Sequence, residues 1–165
     1  MIEYCNYESP LGLLALAFSE RALCALCFAT NWDRLSRRIE LRFGANSLRE
    51  SRMVRDVDEK LDAYFAGDLR ALDHICADTG GTPFQQRVWS VLREVSVGTT
   101  ISYDELARRV GCTNGARAVG AANAANPVSL VVPCHRVIRA DGNLCGYAGG
   151  IERKAWLLRH EHALT

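Results

Sequence analysis

The sequence predicts an α+β protein, with a small antiparallel sheet and helices in the N-terminal half and a mostly helical C-terminal half. Three observations carry this reading. Short apolar runs separated by turn residues crowd the first 28 residues. Two helix starts of the capping-box kind follow residue 80. Between these regions "HICADTGG", 74–81, reads as a linker, which divides the 165 residues into domains 1–79 and 80–165.

The strands come first. "IEYCNY" turns at Ser9-Pro10 into "LGLLALAF", which turns at Ser19-Glu20-Arg21 into "ALCALCF". Helical patterns follow at about 32–43 and 51–66. In the second, Val54, Val57, Leu61, Tyr64 and Phe65 share an apolar face and Gly67 ends it. Past the linker, Thr82 and Gln85 frame a capping box with Pro83 at the first helical position. Phe84, Val88, Val91, Leu92 and Val95 then face a core. Ser102 and Glu105 open a second short helix that runs to about Val110 and stops at Gly111. "GARAVGAANAAN", 115–126, forms the next, so the pair predicts a helix-turn-helix. "SLVV" reads as a short strand leading into Pro133, and a helix over about 150–163 ends the chain.

Composition narrows the class. An apolar fraction of 48% suits a globular domain, and no apolar run reaches the length of a membrane span. The opening "MIEYCNYESP" has neither the basic nor the apolar region of a secretory signal. Seven cysteines, an odd number without a regular framework, point to free thiols in a reducing cytoplasm. Charge is uneven: residues 1–79 hold 10 Lys and Arg against 13 Asp and Glu, residues 80–165 hold 10 against 6. Any nucleic-acid surface therefore belongs to the second half.

Two stretches invite chemistry. The outer face of 115–126 would carry Ala116, Arg117, Gly120, Ala121 and Ala124 where Lys and Glu are usual. Such small residues suit either a nucleic-acid groove or tight packing against the body of the protein. In "SLVVPCHRVIR", Cys134 is either a buried thiol or a nucleophile, since a free thiol is only slightly ionised at neutral pH and needs a base. His135 is the nearest base, but adjacent side chains point apart, so a water would have to link them. Glu161 lies beside the apolar stripe of the last helix, which leaves it either paired with a histidine or in solvent at a frayed end. Cys5, Cys24, Cys27, Cys76 and Cys112 read as core or half-buried thiols, with Cys24 and Cys27 on opposite faces of a strand. Cys145 receives no role. A cysteine hydrolase with a Cys–His–Glu triad would fit the same three residues, but nothing else in the chain favours it.

"NPVSLVVPCHRVIRADG" resembles the active-site signature of the O6-alkylguanine-DNA alkyltransferases (methylated-DNA–protein-cysteine methyltransferases). "GTPFQQRVW", "ISYDELA", "ARAVGAAN" and "GYAGGIERKAWLLRHE" follow the family's order across 81–162, and "SPLG" and "LDAYFAG" extend the likeness to the first half. The pattern is most similar to the single-function, constitutive bacterial type. The resemblance implies a ribonuclease H-like N-terminal domain and a DNA-binding alkyltransferase domain. It implies direct-reversal repair, in which the alkyl group of O6-alkylguanine or O4-alkylthymine in double-stranded DNA moves irreversibly to Cys134.

Site residues follow from the same likeness. Cys134 matches the acceptor, His135 and Glu161 its water-linked base and orienting carboxylate, and Asn126 the brace of the cysteine's turn. Tyr103 matches the tyrosine that contacts guanine and helps protonate N3. Arg117 matches the finger that replaces the flipped nucleotide, on a recognition helix whose Ala116, Gly120 and Ala121 enter the minor groove. Val137, Tyr147, Ala148 and Gly149 fall where the family lines its base pocket. Small Gly149 stands where some relatives carry a bulky residue, so the pocket is expected to admit groups larger than methyl. Alkyltransferase-like lesion binders lack the acceptor that Cys134 supplies. The zinc ligands of some relatives do not all recur, so no metal, no cofactor and a cytoplasmic monomer without membrane attachment are expected.

Overall fold

A two-residue turn closes the first hairpin, where Ser9 pairs with Gly12, whose φ of 105° is left-handed territory suited to glycine. In the computed structural model, which describes residues 1–52 and 56–165, this hairpin joins β1 (Ile2–Ser9) to β2 (Gly12–Phe18). The chain divides into two units, Met1–Thr79 with Pro127–Val131, and Gly80–Asn126 with Val132–Thr165.

In the first unit β3 (Leu23–Phe28) extends the antiparallel pairing. β2 from Leu14 onward and all of β3 are buried, which is why they read as continuous apolar runs rather than alternating ones. After a 3-10 turn at Ala29–Asn31, α1 (Trp32–Phe43) lays Leu35 and Ile39 on the sheet. A strand absent from the sequence reading follows: β4 (Leu48–Glu50) pairs in parallel with β1, so the sheet is mixed, in the order β3-β2-β1-β4. Three residues are too few for an alternation to show. The helix predicted over 51–66 appears as α2 (Asp56–Phe65). It buries Leu61 and Tyr64 and half-buries Val57 and Phe65, while Val54 lies outside the described residues.

Four further expectations fail in this unit. Cys24 and Cys27 do not face opposite ways: a register shift at Ala17/Phe18 breaks the alternation, and both enter the cluster packed on α1. The 74–81 stretch is not a loose linker. The Leu23 amide donates to the Cys76 carbonyl at 3.0 Å, and the Asp78 amide to the Leu23 carbonyl at 2.9 Å, so it pairs along β3. That leaves the Cys76 side chain exposed, contrary to the core reading. "SLVV" is not a strand either. Val128 alone bridges to Leu26, and Leu130, at φ 68°, turns the chain.

In the second unit α3 (Pro83–Arg93) starts as its sequence dictates. The Gln85 amide donates to Thr82 Oγ1 at 3.2 Å and the Thr82 amide to Gln85 Oε1 at 3.0 Å. Val88, Leu92 and Val95 are buried, whereas Phe84 and Val91 are only half-buried. Trp89 joins the core and donates its Nε1–H to the Ala122 carbonyl at 2.8 Å. β5 (Ile101–Ser102) leads directly into α4 (Tyr103–Val110). The second capping box is only half made: Ser102 Oγ accepts from the Glu105 amide at 3.1 Å, but the Glu105 carboxylate turns to Arg108 and Arg109 instead. The turn at 111–115 leads to α5 (Ala116–Ala124), which completes the helix–turn–helix pair. β6 (Val137–Ile138) pairs in parallel with β5, and neither of these strands was announced by the sequence. α6 (Ile151–His160) is shorter than predicted; Glu161 caps it and His162 turns left-handed at φ 60°. No helix among the described residues is long and apolar enough to cross a membrane.

Candidate active site

Pro133 directs the chain into a 3-10 turn, Cys134–Arg136. The Cys134 amide donates to the Val132 carbonyl at 2.8 Å, and the Arg136 amide to the Pro133 carbonyl at 3.0 Å. Two asparagines brace this turn from the end of α5. Asn126 Nδ2 donates to the Val132 carbonyl at 2.8 Å, and the buried Asn123 Nδ2 reaches the Cys134 carbonyl at 3.4 Å. Sequence reasoning found Asn126 and missed Asn123. The missed signal was spacing: Val119, Ala122, Asn123 and Asn126 follow one inner helical face.

The turn buries three chemically different side chains, Cys134 at 5% exposure, His135 at 0% and Arg136 at 6%. Glu161, at 1%, meets two of them. His135 Nε2 lies 2.9 Å from Glu161 Oε1. Arg136 donates from Nε to Oε2 and from Nη2 to Oε1, both at 2.9 Å, and from Nη1 to the Val95 carbonyl at 2.6 Å. Burial works to raise the Glu161 pKa, but the charges and hydrogen bonds of His135 and Arg136 outweigh it and hold the carboxyl well below its ordinary range. Glu161 is therefore a carboxylate, not a frayed end in solvent. A carboxylate can only accept, so a neutral His135 must donate from Nε2 and keep Nδ1 as its acceptor nitrogen. Nδ1 has no protein hydrogen-bond partner. The burial of Arg136 also excludes the phosphate contact that its charge alone would suggest.

Tyr103, first residue of α4, comes from a different segment of the same unit. Its ring lies beside Gly120 of α5, where an added Cβ would sit 3.6 Å from two ring carbons. Its hydroxyl lies by Gly146, where an added Cβ would sit 3.7 Å away. Burial, then the Cys145 thiol, then Cys134, push the Tyr103 pKa up to about 12, so the phenol stays a proton donor at neutral pH. Cys145, left without a role in the sequence, is thus a neighbour of this tyrosine. The Tyr147 ring packs edge-on to the His135 ring with centroids 6.5 Å apart. Val137 is buried in β6, Ala148 is exposed, and the Gly149 carbonyl accepts from Arg153 Nη1 at 3.3 Å.

Lys154 is the second miss. It is fully buried on α6, and its Nζ donates to the carbonyls of Val137 at 2.6 Å and Cys145 at 2.9 Å. It ties β6 to the loop beside Tyr103. Lys154, Leu157, Leu158 and Glu161 share one helical stripe, so the spacing that singled out Glu161 applies equally to the lysine. On α5, Arg117, Ala121 and Ala124 are exposed, while Ala116 and Gly120 are half-buried. Gly120 belongs to the Tyr103 contact as much as to an outer face. Among the described residues, no group of three or more His, Cys, Asp or Glu is gathered to hold a metal ion.

Fold and site together define a class: a mixed-sheet unit followed by a helical unit, with a buried Cys–His–Glu centre behind a helix–turn–helix pair. Comparison with known proteins gives the family. Residues 2–78 match the ribonuclease-like domain of 6-O-methylguanine DNA methyltransferase, and residues 83–163 match its DNA binding domain. The chain belongs to this family. A methylated-DNA–protein-cysteine methyltransferase of Mycolicibacterium paratuberculosis is 44% identical over 98% of this chain and 93% of its own length. The Salmonella typhimurium protein of that name is 56% identical over 64% of this chain, a match that spans only 61% of the relative's length. The crystal structure of the Mycobacterium tuberculosis O6-methylguanine methyltransferase superposes with a TM-score of 0.82 at 38% identity, covering 100% of this chain and 95% of that one. A complex of the mycobacterial protein with DNA also scores 0.82, at 37% identity over 98% and 93%.

Proposed function

We propose that this protein repairs alkylated DNA by direct reversal, moving the alkyl group of O6-alkylguanine, and of O4-alkylthymine, onto Cys134. One observation carries the reading: a buried cysteine adjoins a histidine whose Nε2 is committed to a buried carboxylate, leaving Nδ1 as the acceptor. In this scheme His135 takes the thiol proton at Nδ1 through a water, with Glu161 orienting the ring. The thiolate sulfur attacks the alkyl carbon, the carbon–O6 bond breaks, and the electron pair moves into the purine. Tyr103 donates its proton to N3, so neutral guanine leaves.

The base must first leave the duplex, at a cost of a few kcal/mol. Arg117 is suited to fill the gap it leaves. Ala116, Gly120 and Ala121 would let α5 approach the minor groove of double-stranded DNA; the mycobacterial relative is known in complex with DNA. Asn126 braces the cysteine's turn. Val137, Tyr147, Ala148 and Gly149 would line the base pocket, and small Gly149 would let it admit groups larger than methyl. The product thioether is a poor leaving group, so each molecule acts once, without a cofactor and as a monomer in the cytoplasm. On this reading residues 80–165 form the DNA-binding alkyltransferase domain and 1–79 the ribonuclease H-like one.

The test is intact mass after incubation with duplex DNA containing O6-methylguanine. One methyl adduct per protein molecule is expected, with Cys134→Ala binding the DNA and gaining none. Repeated turnover, or lesion removal by Cys134→Ala, would overturn the reading.

A further inference from the structure

Arg136 is a buried charge in direct contact with Glu161 that the mechanism above does not use. It shares Glu161 Oε1 with His135: both His135 Nε2 and Arg136 Nη2 lie 2.9 Å from that oxygen. Its other contacts, to Oε2 and to the Val95 carbonyl, allow it no exchange with solvent. The planar guanidinium suits this three-point hold, which a lysine ammonium would match only in part.

We infer that Arg136 is a positioning residue that keeps His135 neutral, by committing the charge of Glu161 to itself and leaving the carboxylate to orient the imidazole only. This rests on the proposed reading of His135 as the base for Cys134. A lone buried carboxylate beside His135 would stabilise the imidazolium, and an imidazolium cannot take the thiol proton. The fixed positive charge of Arg136 opposes that protonation, so the base stays available to Cys134. The other titratable or charged groups around this centre are Cys134 on the same turn, Tyr147 from the following loop, Tyr103 from α4 and Lys154 from α6. Of these only Lys154 is cationic, and it is hydrogen-bonded to the Val137 and Cys145 carbonyls rather than to Glu161.

The single-turnover transfer rate should be measured against pH, with O6-methylguanine duplex, for wild type, Arg136→Met, Arg136→Lys and the double variant Arg136→Met/Glu161→Gln. In wild type the acid limb marks the protonation of His135. In Arg136→Met its midpoint is expected to rise by about one pH unit, because the carboxylate now favours the imidazolium. Arg136→Lys is expected to lie between the two, and the double variant to return toward wild type or below. A merely structural role would lower the rate evenly and leave the midpoint in place. An unmoved or lowered midpoint in Arg136→Met overturns the inference. If that variant does not fold, an unmoved midpoint in Arg136→Lys overturns it instead. Failure of wild type to transfer the methyl group at any pH would refute the functional reading itself, a separate outcome.

Discussion

Both units bury apolar side chains, but they differ in the polar side chains they bury. Among the described residues, the buried polar groups of the first unit are two serines, Ser47 and Ser129. Its sheet is otherwise packed with Leu, Ala, Cys and Phe, and burial alone pushes the Cys27 pKa up to about 12, against the pull of Arg34. The second unit buries Asn123, His135, Arg136, Lys154 and Glu161. Buried charges are weak contributors to stability, since desolvation offsets most of their attraction. Their concentration around one cysteine marks where this molecule trades stability for chemistry, while the first unit is held by hydrophobic burial.

Substitution in each unit should separate these roles. Glu161→Gln leaves Arg136 buried without its carboxylate. It is expected to cost roughly 3–5 kcal/mol by thermal or denaturant unfolding and to slow methyl transfer, without abolishing it, even in the folded fraction. Leu16→Ala, in the fully buried middle of β2, is expected to cost about 2–5 kcal/mol. It should leave the transfer rate per folded molecule unchanged. Equal loss of rate per folded molecule in both variants would erase the contrast.

Acid should give the smaller effect. The folded-state pKa of Glu161 is depressed. The stability it contributes is thus present above the unfolded carboxyl value, about 4.3, and is lost as pH falls below it toward the folded value. Hydrogen exchange at progressively lower pH should therefore show amides of α6 and the 134–136 turn losing protection. That acid dependence should shrink in Glu161→Gln. Retention of the full dependence in that variant would assign it to other groups.

The sequence made the first unit's strands legible because apolar runs and turn residues are local signals. It hid β4, β5 and β6, whose two or three residues pair only because the fold brings a partner alongside. It also misread "SLVV", because nothing local announces a left-handed Leu130. In the second unit, Thr82 and Gln85 revealed a helix start that the structure keeps in full. Glu105 is the instructive failure: its carboxylate had nearer cations than the cap. The site divides in the same way. A place on an apolar helical stripe singled out Glu161 but left it either paired or in solvent, and the same stripe marked Lys154 as well. The hold of Arg136 on Glu161 spans 25 residues and could only be seen in the folded chain.

Exposure alone would choose Cys76 over Cys134, the acceptor proposed above. Cys76 is exposed in the first unit, whereas Cys134 is 5% exposed and sits among buried charges. Peptide mapping by mass spectrometry, after reaction of the wild-type protein with O6-methylguanine duplex, tests most directly whether the buried centre is the reactive one. The account predicts a methyl group on Cys134 and on no other cysteine. A methyl group on Cys76 or Cys145, with Cys134 unmodified, would contradict it.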